Sequence, residues 1–122
     1  MDSFTQLDVW RKAHGLVIEI YQVTADFPNT ERFRLTDQLC RSASSIPANI
    51  AEGKGRNTRK EYIQSLYTSR GSLEETKYHL ILSRDLGYLS SECFDKLIEG
   101  YNEVGRMLNG LINSLKERNS HD

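Results

Sequence analysis

Apolar residues recur at the period of an α-helix in four stretches of this chain. No stretch alternates with period two for long enough to make a strand. In the first, Val9, Ala13, Leu16, Val17, Ile20 and Tyr21 form one stripe, which predicts a helix over 8–27. Asp8 can cap its first turn, and Pro28 ends it because the residue before a proline avoids the α region. In the second, Leu35, Leu39, Ala43, Ile46 and Ile50 predict a helix over 31–52, with Thr30 as its N-cap. Pro47 lies inside that stripe and predicts a kink, and Gly53 reads as a left-handed terminator.

The third helix, over 59–86, has the clearest start: Thr58 followed by Glu61 is a capping box. Tyr62, Leu66, Leu73, Leu80 and Ile81 mark its apolar stripe, and Gly87 stops it. Ser65, Ser69, Gly71 and Ser72 are small and would let a neighbouring helix come close. The fourth helix, over 91–117, follows Ser90 or Ser91 as cap. Phe94, Leu97, Tyr101, Val104, Leu108, Leu111 and Leu115 are spaced alternately three and four apart, the a/d seam of left-handed packing. Gly100, Gly105 and Gly110 lie off that seam. Each costs about 1 kcal/mol against alanine, which implies a partner packed close to them.

Short connections make consecutive helices antiparallel neighbours. The expected fold is therefore all-α, an antiparallel up-and-down four-helix bundle in one domain over 1–122. Residues 1–7 are a lead segment in which Phe4 and Leu7, with Trp10, fold over the bundle end; 118–122 read as a disordered tail. At 122 residues, 38% hydrophobic and 27% charged, the chain can bury a core of its own and is too apolar to stay unfolded. It has no apolar run of transmembrane length, its first residues lack the basic stretch and apolar core of a secretory signal, and its two cysteines make no disulfide framework. The expected location is a reducing cytoplasm.

The net charge of −1 conceals an asymmetry: residues 28–60 carry seven basic and three acidic side chains, while the segments on either side are acidic. Within that basic stretch, Arg41 and the run Lys54, Arg56, Arg59 and Lys60 are the candidate nucleic-acid-binding residues. Flexible cations beside the N-terminus of the third helix suit a phosphate backbone. The order of a phosphate-binding P-loop is absent. Glu92, Asp95, Glu99 and Glu103 form an acidic line at outer positions of the fourth helix, either a solvated face or a contact for a basic patch on another subunit.

Catalytic and metal chemistry find little support. A di-iron bundle needs Glu-x-x-His pairs on two helices; this chain has none, only Glu75 and His79 four apart. His14, His79 and His121 have no ligand spacing with Cys40 or Cys93. Ser42, Ser44 and Ser45 lack a nucleophile-elbow context and suit hydrogen bonds back to carbonyls near Pro47, a role Asn49 can share. No cofactor, metal or small-molecule substrate is expected, and no catalytic residue is assigned.

Several runs together resemble one family. They are Phe4-x-x-Leu7-x-Val9-Trp10-x-x-Ala13, then Ile20-Tyr21, Thr24, Phe27-Pro28 and Phe33-x-Leu35-x-x-Gln38-Leu39. Next come Arg41-Ser42-Ala43-x-Ser45-Ile46-Pro47-Ala48-Asn49-Ile50-Ala51-Glu52-Gly53 with Arg56, then Gly71-Ser72-Leu73-x-Glu75 and Leu86-Gly87-Tyr88-Leu89. The chain resembles the bacterial four-helix-bundle proteins encoded in intervening sequences of 23S ribosomal RNA genes. That resemblance implies a ring-shaped homopentamer. It also implies kinship with a bundle of diversity-generating retroelements that binds nucleic acid through a basic surface and assists a reverse transcriptase. Where the family commonly has two arginines this chain has Cys40-Arg41, one cation fewer. The expectation is a non-enzymatic homo-oligomer that binds RNA or DNA backbone non-specifically through the basic patch. The alternative is a structural or protein–protein interaction module with no nucleic-acid ligand.

Overall fold

The computed structural model describes residues 3–121, with side chains described through residue 117. Four helices carry the fold: α1 (Asp8–Thr24), α2 (Leu35–Lys54), α3 (Arg59–Asp85) and α4 (Ser91–His121). Two 3-10 turns, Phe4–Gln6 and Asn29–Glu31, precede α1 and α2. Each helix packs on the next and α4 closes back on α1, so α1 and α3, like α2 and α4, are diagonal across the bundle. No strand is present among the described residues. The tail expected over 118–122 falls on residues whose side chains, and for 122 the backbone, lie outside the described set.

The signals at Thr58, Ser90 and Gly87 are realised in detail, whereas Asp8 is itself the first residue of α1 and no side-chain cap forms before it. Thr58 Oγ1 accepts from Glu61 N–H at 3.1 Å and donates to Glu61 Oε1 at 2.9 Å, a cap contributing about 1 kcal/mol. Ser90 Oγ accepts from Cys93 N–H at 3.1 Å and starts α4. At the end of α3, Gly87 takes φ +82°. Its N–H bonds to Arg84 O at 3.0 Å and Tyr88 N–H to Ser83 O at 2.9 Å, the paired bonds of a Schellman turn.

Elsewhere tertiary packing moves the boundaries. The first helix stops at Thr24, short of 27, as Asp26 and Phe27 N–H turn to carbonyls three residues back. Phe27 is thereby tucked into the core. Thr30 is not the cap of the second helix; it sits in the 3-10 turn, and α2 begins at Leu35 after Arg34, which makes no side-chain cap. The buried Glu31 explains this. Its carboxylate accepts the Tyr88 hydroxyl proton at 2.9 Å from the far loop, which pins the turn in place.

Gly53 does not terminate α2, which runs to Lys54 with Gly55 closing it. A Cβ on Gly53 would lie 2.8 Å from Ser65 Cβ and 3.0 Å from Tyr62 Cδ1, so its bare backbone is what lets α3 approach. The same seam carries hydroxyls. Ser69 Oγ donates to Ile46 O at 2.9 Å, Thr76 and Ser42 hydroxyls meet at 2.9 Å, and Ser45 and Ser72 share a hydrogen bond of 2.9 Å. Ser65, Ser69 and Ser72 thus serve close approach as expected, whereas nothing lies within 4 Å of a Cβ on Gly71. Pro47 is buried inside α2, which stays helical on both sides of it.

The core stripes match the sequence pattern with a few substitutions. Tyr21 is 56% exposed and Thr24 is buried in its place. In α3 the buried position is Ile63 where Tyr62 was expected, and Ile81 faces out. Along α4 the stripe holds from Phe94 to Leu108 and again at Leu115, with Ile112 buried where Leu111, only half-buried, was expected. Gly100 and Gly105 do meet partners, Leu16 Cδ2 and Leu73 Cδ2, while a Cβ on Gly110 would meet nothing within 4 Å.

Replacing Gly53 with alanine should lower stability by about 1–3 kcal/mol, because two packed helices must separate. Gly55→Ala, where the added Cβ meets nothing closer than 3.6 Å, should stay within about 0.5 kcal/mol. Urea denaturation of the two variants checks the contrast.

Candidate nucleic-acid interface

The α2–α3 connection lies at the bundle end shared with the N-terminal turn and the C-terminal half of α4. It places Lys54, Arg56, Arg59 and Lys60 together and leaves Arg41 apart. Arg41 is exposed on α2 thirteen residues before Lys54, about 20 Å along the axis and roughly 140° around it. The four grouped cations are not equivalent. Arg56 pairs with Glu52 one turn back on α2, and Arg59 is half-buried and partnered. Lys54 and Lys60 are exposed. The α3 N-terminus is also less open to an anion than its sequence suggests. The Thr58 hydroxyl takes one of its N–H groups, and the Glu61 carboxylate already brings negative charge to its first turn.

A second cationic group, which the sequence did not reveal, lies on the α3–α4 face. The Arg70 guanidinium sits 4.7 Å from the Tyr67 ring centroid and the Lys116 ammonium 5.1 Å from the same ring. Arg70 Nη1 donates to Asn109 Oδ1 at 2.9 Å. These partners are neutral, so they orient the cations without cancelling their charge. Lys60 lies two turns before Tyr67 on the same stripe of α3, about 10 Å away along the axis. The spacing of Tyr67 and Arg70 within α3 was visible in the chain; the pairing with Asn109 and Lys116 needed the register of α4.

Other chemistry-bearing groups are absorbed by the fold. Glu92, Asp95 and Glu99 are exposed on the outer face of α4, and Glu103 pairs with Lys12 at 3.4 Å. Lys12, Glu19, Lys96 and Glu99 line a groove of mixed charge above Leu16 and Gly100. Among the described residues no group of three or more His, Cys, Asp or Glu is arranged to hold a metal ion. Ser42 and Ser45 belong to the α2–α3 seam, and Asn49 Nδ2 donates to Ser45 O at 2.8 Å, as expected for structural hydroxyl and amide groups. Both cysteines are free, Cys40 with its sulfur 3.6 Å from Thr24 Oγ1. No helix among the described residues is long and apolar enough to cross a membrane.

Three tyrosines hold their protons more tightly than usual. Tyr88 does so through its bond to Glu31 and Tyr62 through burial. In Tyr101 burial is the main cause, helped by the charges of Glu19 and Cys40. The Tyr101 side chain is fully buried, and its hydroxyl has no hydrogen-bond partner among the described residues.

A family model described as 23S rRNA-intervening sequence protein matches residues 5–110. This chain belongs to that family. Among solved structures, a protein of unknown function from the S23 ribosomal protein family of Bacteroides thetaiotaomicron is similar at 25% identity and a TM-score of 0.80. The match covers 86% of this chain and 95% of that one. No curated protein matches. In this intervening-sequence protein, the run from Ser42 to Gly53 that carries the family likeness is mostly a packing element. Ser42, Ser45, Ile46 and Gly53 all engage α3, and Asn49 bonds back to Ser45.

The unpartnered hydroxyl gives a clear expectation for Tyr101→Phe. Stability near neutral pH should rise by about 1 kcal/mol, since no other group loses a partner. The native tyrosine stays protonated where the unfolded one, with its ordinary value of 10.0, ionises. Wild-type stability therefore falls as pH climbs above that value, and the phenylalanine variant should show a shallower fall. Urea denaturation at about pH 7 and about pH 11 measures both effects.

Proposed function

We propose that this intervening-sequence protein is a non-enzymatic homo-oligomer, a pentamer, that holds nucleic-acid backbone on a basic surface. The observation that carries this reading is the set of cations whose charge no carboxylate meets in the pairs described above. Arg70 and Lys116 have neutral partners, and Lys54 and Lys60 are exposed at the same end of the bundle. One such patch is weak; repeated around a ring it becomes multivalent and binds far more tightly. Arg41, away from the loop in one copy, would add to the patch from another part of the ring.

Support for self-association comes from the outer faces. Ile18 and Tyr21 on α1 are 47% and 56% exposed, and Tyr78 and Ile81 on α3 are 57% and 39% exposed. The two helices are diagonal, so α1 of one copy against α3 of the next joins unlike surfaces, and head-to-tail contacts of that kind close into rings. Helical Gly15, Gly71 and Gly110 meet nothing within their own chain, which leaves room for a neighbour's side chains. A second reading, a protein-interaction module, draws on the exposed Glu92, Asp95 and Glu99, which could receive the basic loop of another subunit.

Titration of the full chain with a structured RNA should show binding at about 50 mM salt that weakens steeply towards about 200 mM. The double variant Lys54→Glu, Lys60→Glu should lose roughly tenfold or more in affinity while its mass in solution stays unchanged. Absence of binding at the lower salt removes the nucleic-acid reading, and a ring that dissociates in the double variant favours the interaction module. Tyr21→Asp or Tyr78→Asp should reduce the solution mass to that of a monomer with helical circular dichroism retained; an unchanged mass places the interface elsewhere.

A further inference from the structure

We infer that the Arg70 guanidinium, held over the Tyr67 ring with Lys116 over the same ring, is a stacking seat for an unpaired base, so the strand this face takes is single. This rests on the nucleic-acid reading above and specifies its ligand. Two positive charges on one ring, drawn from two helices, distinguish the site from the other cation–aromatic contacts. Arg84 lies over Phe94 but its charge is met by Asp85 at 3.1 Å, and that ring is buried. Arg32 lies over Phe33, its neighbour in sequence, at the opposite end of the bundle from the basic loop.

At Tyr67 the parts are fixed. The ring is half-buried and packed against the core, and two cations lie over it, so the plane offered to a base is that of the exposed Arg70. Arg70 is held from two sides, by the ring and by Asn109 Oδ1, which pre-orients the guanidinium plane. An unpaired base stacks on an aromatic ring or on a guanidinium plane, whereas in a duplex the base faces are covered by their neighbours. Lys60, about 10 Å along the helix, lies roughly three stacked nucleotides from the seat at about 3.4 Å per step. Cations at both ends of that span can neutralise the phosphates of the same strand.

The test uses the full chain with two probes at about 50 mM salt: a single-stranded RNA of about 12 nucleotides carrying one 2-aminopurine, and a duplex of equal length. Tyr67→Leu should lose roughly tenfold in affinity for the single strand, with the 2-aminopurine quenching abolished and duplex affinity unchanged. Tyr67→Phe should keep both. Arg70→Lys, an exposed substitution that keeps the charge and loses the plane, should weaken single-strand binding selectively without risk to the fold. Suppose Tyr67→Leu and Arg70→Lys both leave single-strand affinity intact while Lys54→Glu, Lys60→Glu weakens both probes. The stacking seat is then overturned and the backbone reading stands. If the wild-type chain binds neither probe, both are overturned.

Discussion

The contact between α2 and α3 sets the terms for the rest of the bundle. Along it, Gly53, Ser42, Ser45, Ser65, Ser69, Ser72 and Thr76 replace the large apolar side chains that usually separate two helices. Close approach brings hydroxyls out of water, and each must then find a partner. Those of Ser42, Ser45, Ser69, Ser72 and Thr76 find one another, or a carbonyl such as that of Ile46. An apolar seam tolerates some sliding; a ladder of hydroxyl pairs does not, because a shift by one residue leaves buried groups unpaired at a cost of about 1–3 kcal/mol each. The register of α2 on α3 is thereby specified more sharply than leucine packing alone would allow.

That register governs the surface. With small residues turned towards α2, the bulky side chains of α3 lie on its other flanks: Leu73 reaches towards α4, and Tyr67 and Tyr78 sit on the outer side. The Tyr67 ring lies beside α4, where Lys116 and Asn109 complete its surroundings. The same seam fixes the short connection at its end, so Lys54 and Lys60 have little freedom of position relative to one another. Charge is then sorted by partner. Arg56 returns to Glu52 on the helix it follows, whereas Arg70 finds an amide and a ring. Two arginines of equal formal charge therefore differ in what they can offer an anion.

Much of this was legible in the chain, and the exceptions share a cause. Helix number, order, capping at Thr58 and Ser90, and the stop at Gly87 follow from local chemistry and could be read directly. Gly53 could not be read as a packing residue, since a glycine near a helix end signals termination equally well; only Ser65 across the seam decides it. Thr30 offered a good cap, but Glu31 was held by Tyr88 from a loop far along the chain. The candidate site fared less well for the same reason. The local excess of cations was visible, while which of them carry a carboxylate partner depended on register.

The family likeness bears on this division. Its most distinctive run, from Ser42 to Gly53, mainly serves the α2–α3 seam, so what it transmits between members is chiefly a way of packing two helices. Tyr67, Arg70, Asn109 and Lys116 lie outside that run, and outside the other runs by which the chain was first related to the family. A shared packing element constrains the scaffold tightly and leaves its outer faces free to vary. Two members can therefore agree closely in fold while presenting different charges and rings to their ligands. Under the proposed reading, the fold carries this chain's capacity to assemble and to display a face. What that face selects rests on a few side chains on the α3–α4 face, where Arg70 and Lys116 have neutral partners that leave their charge available.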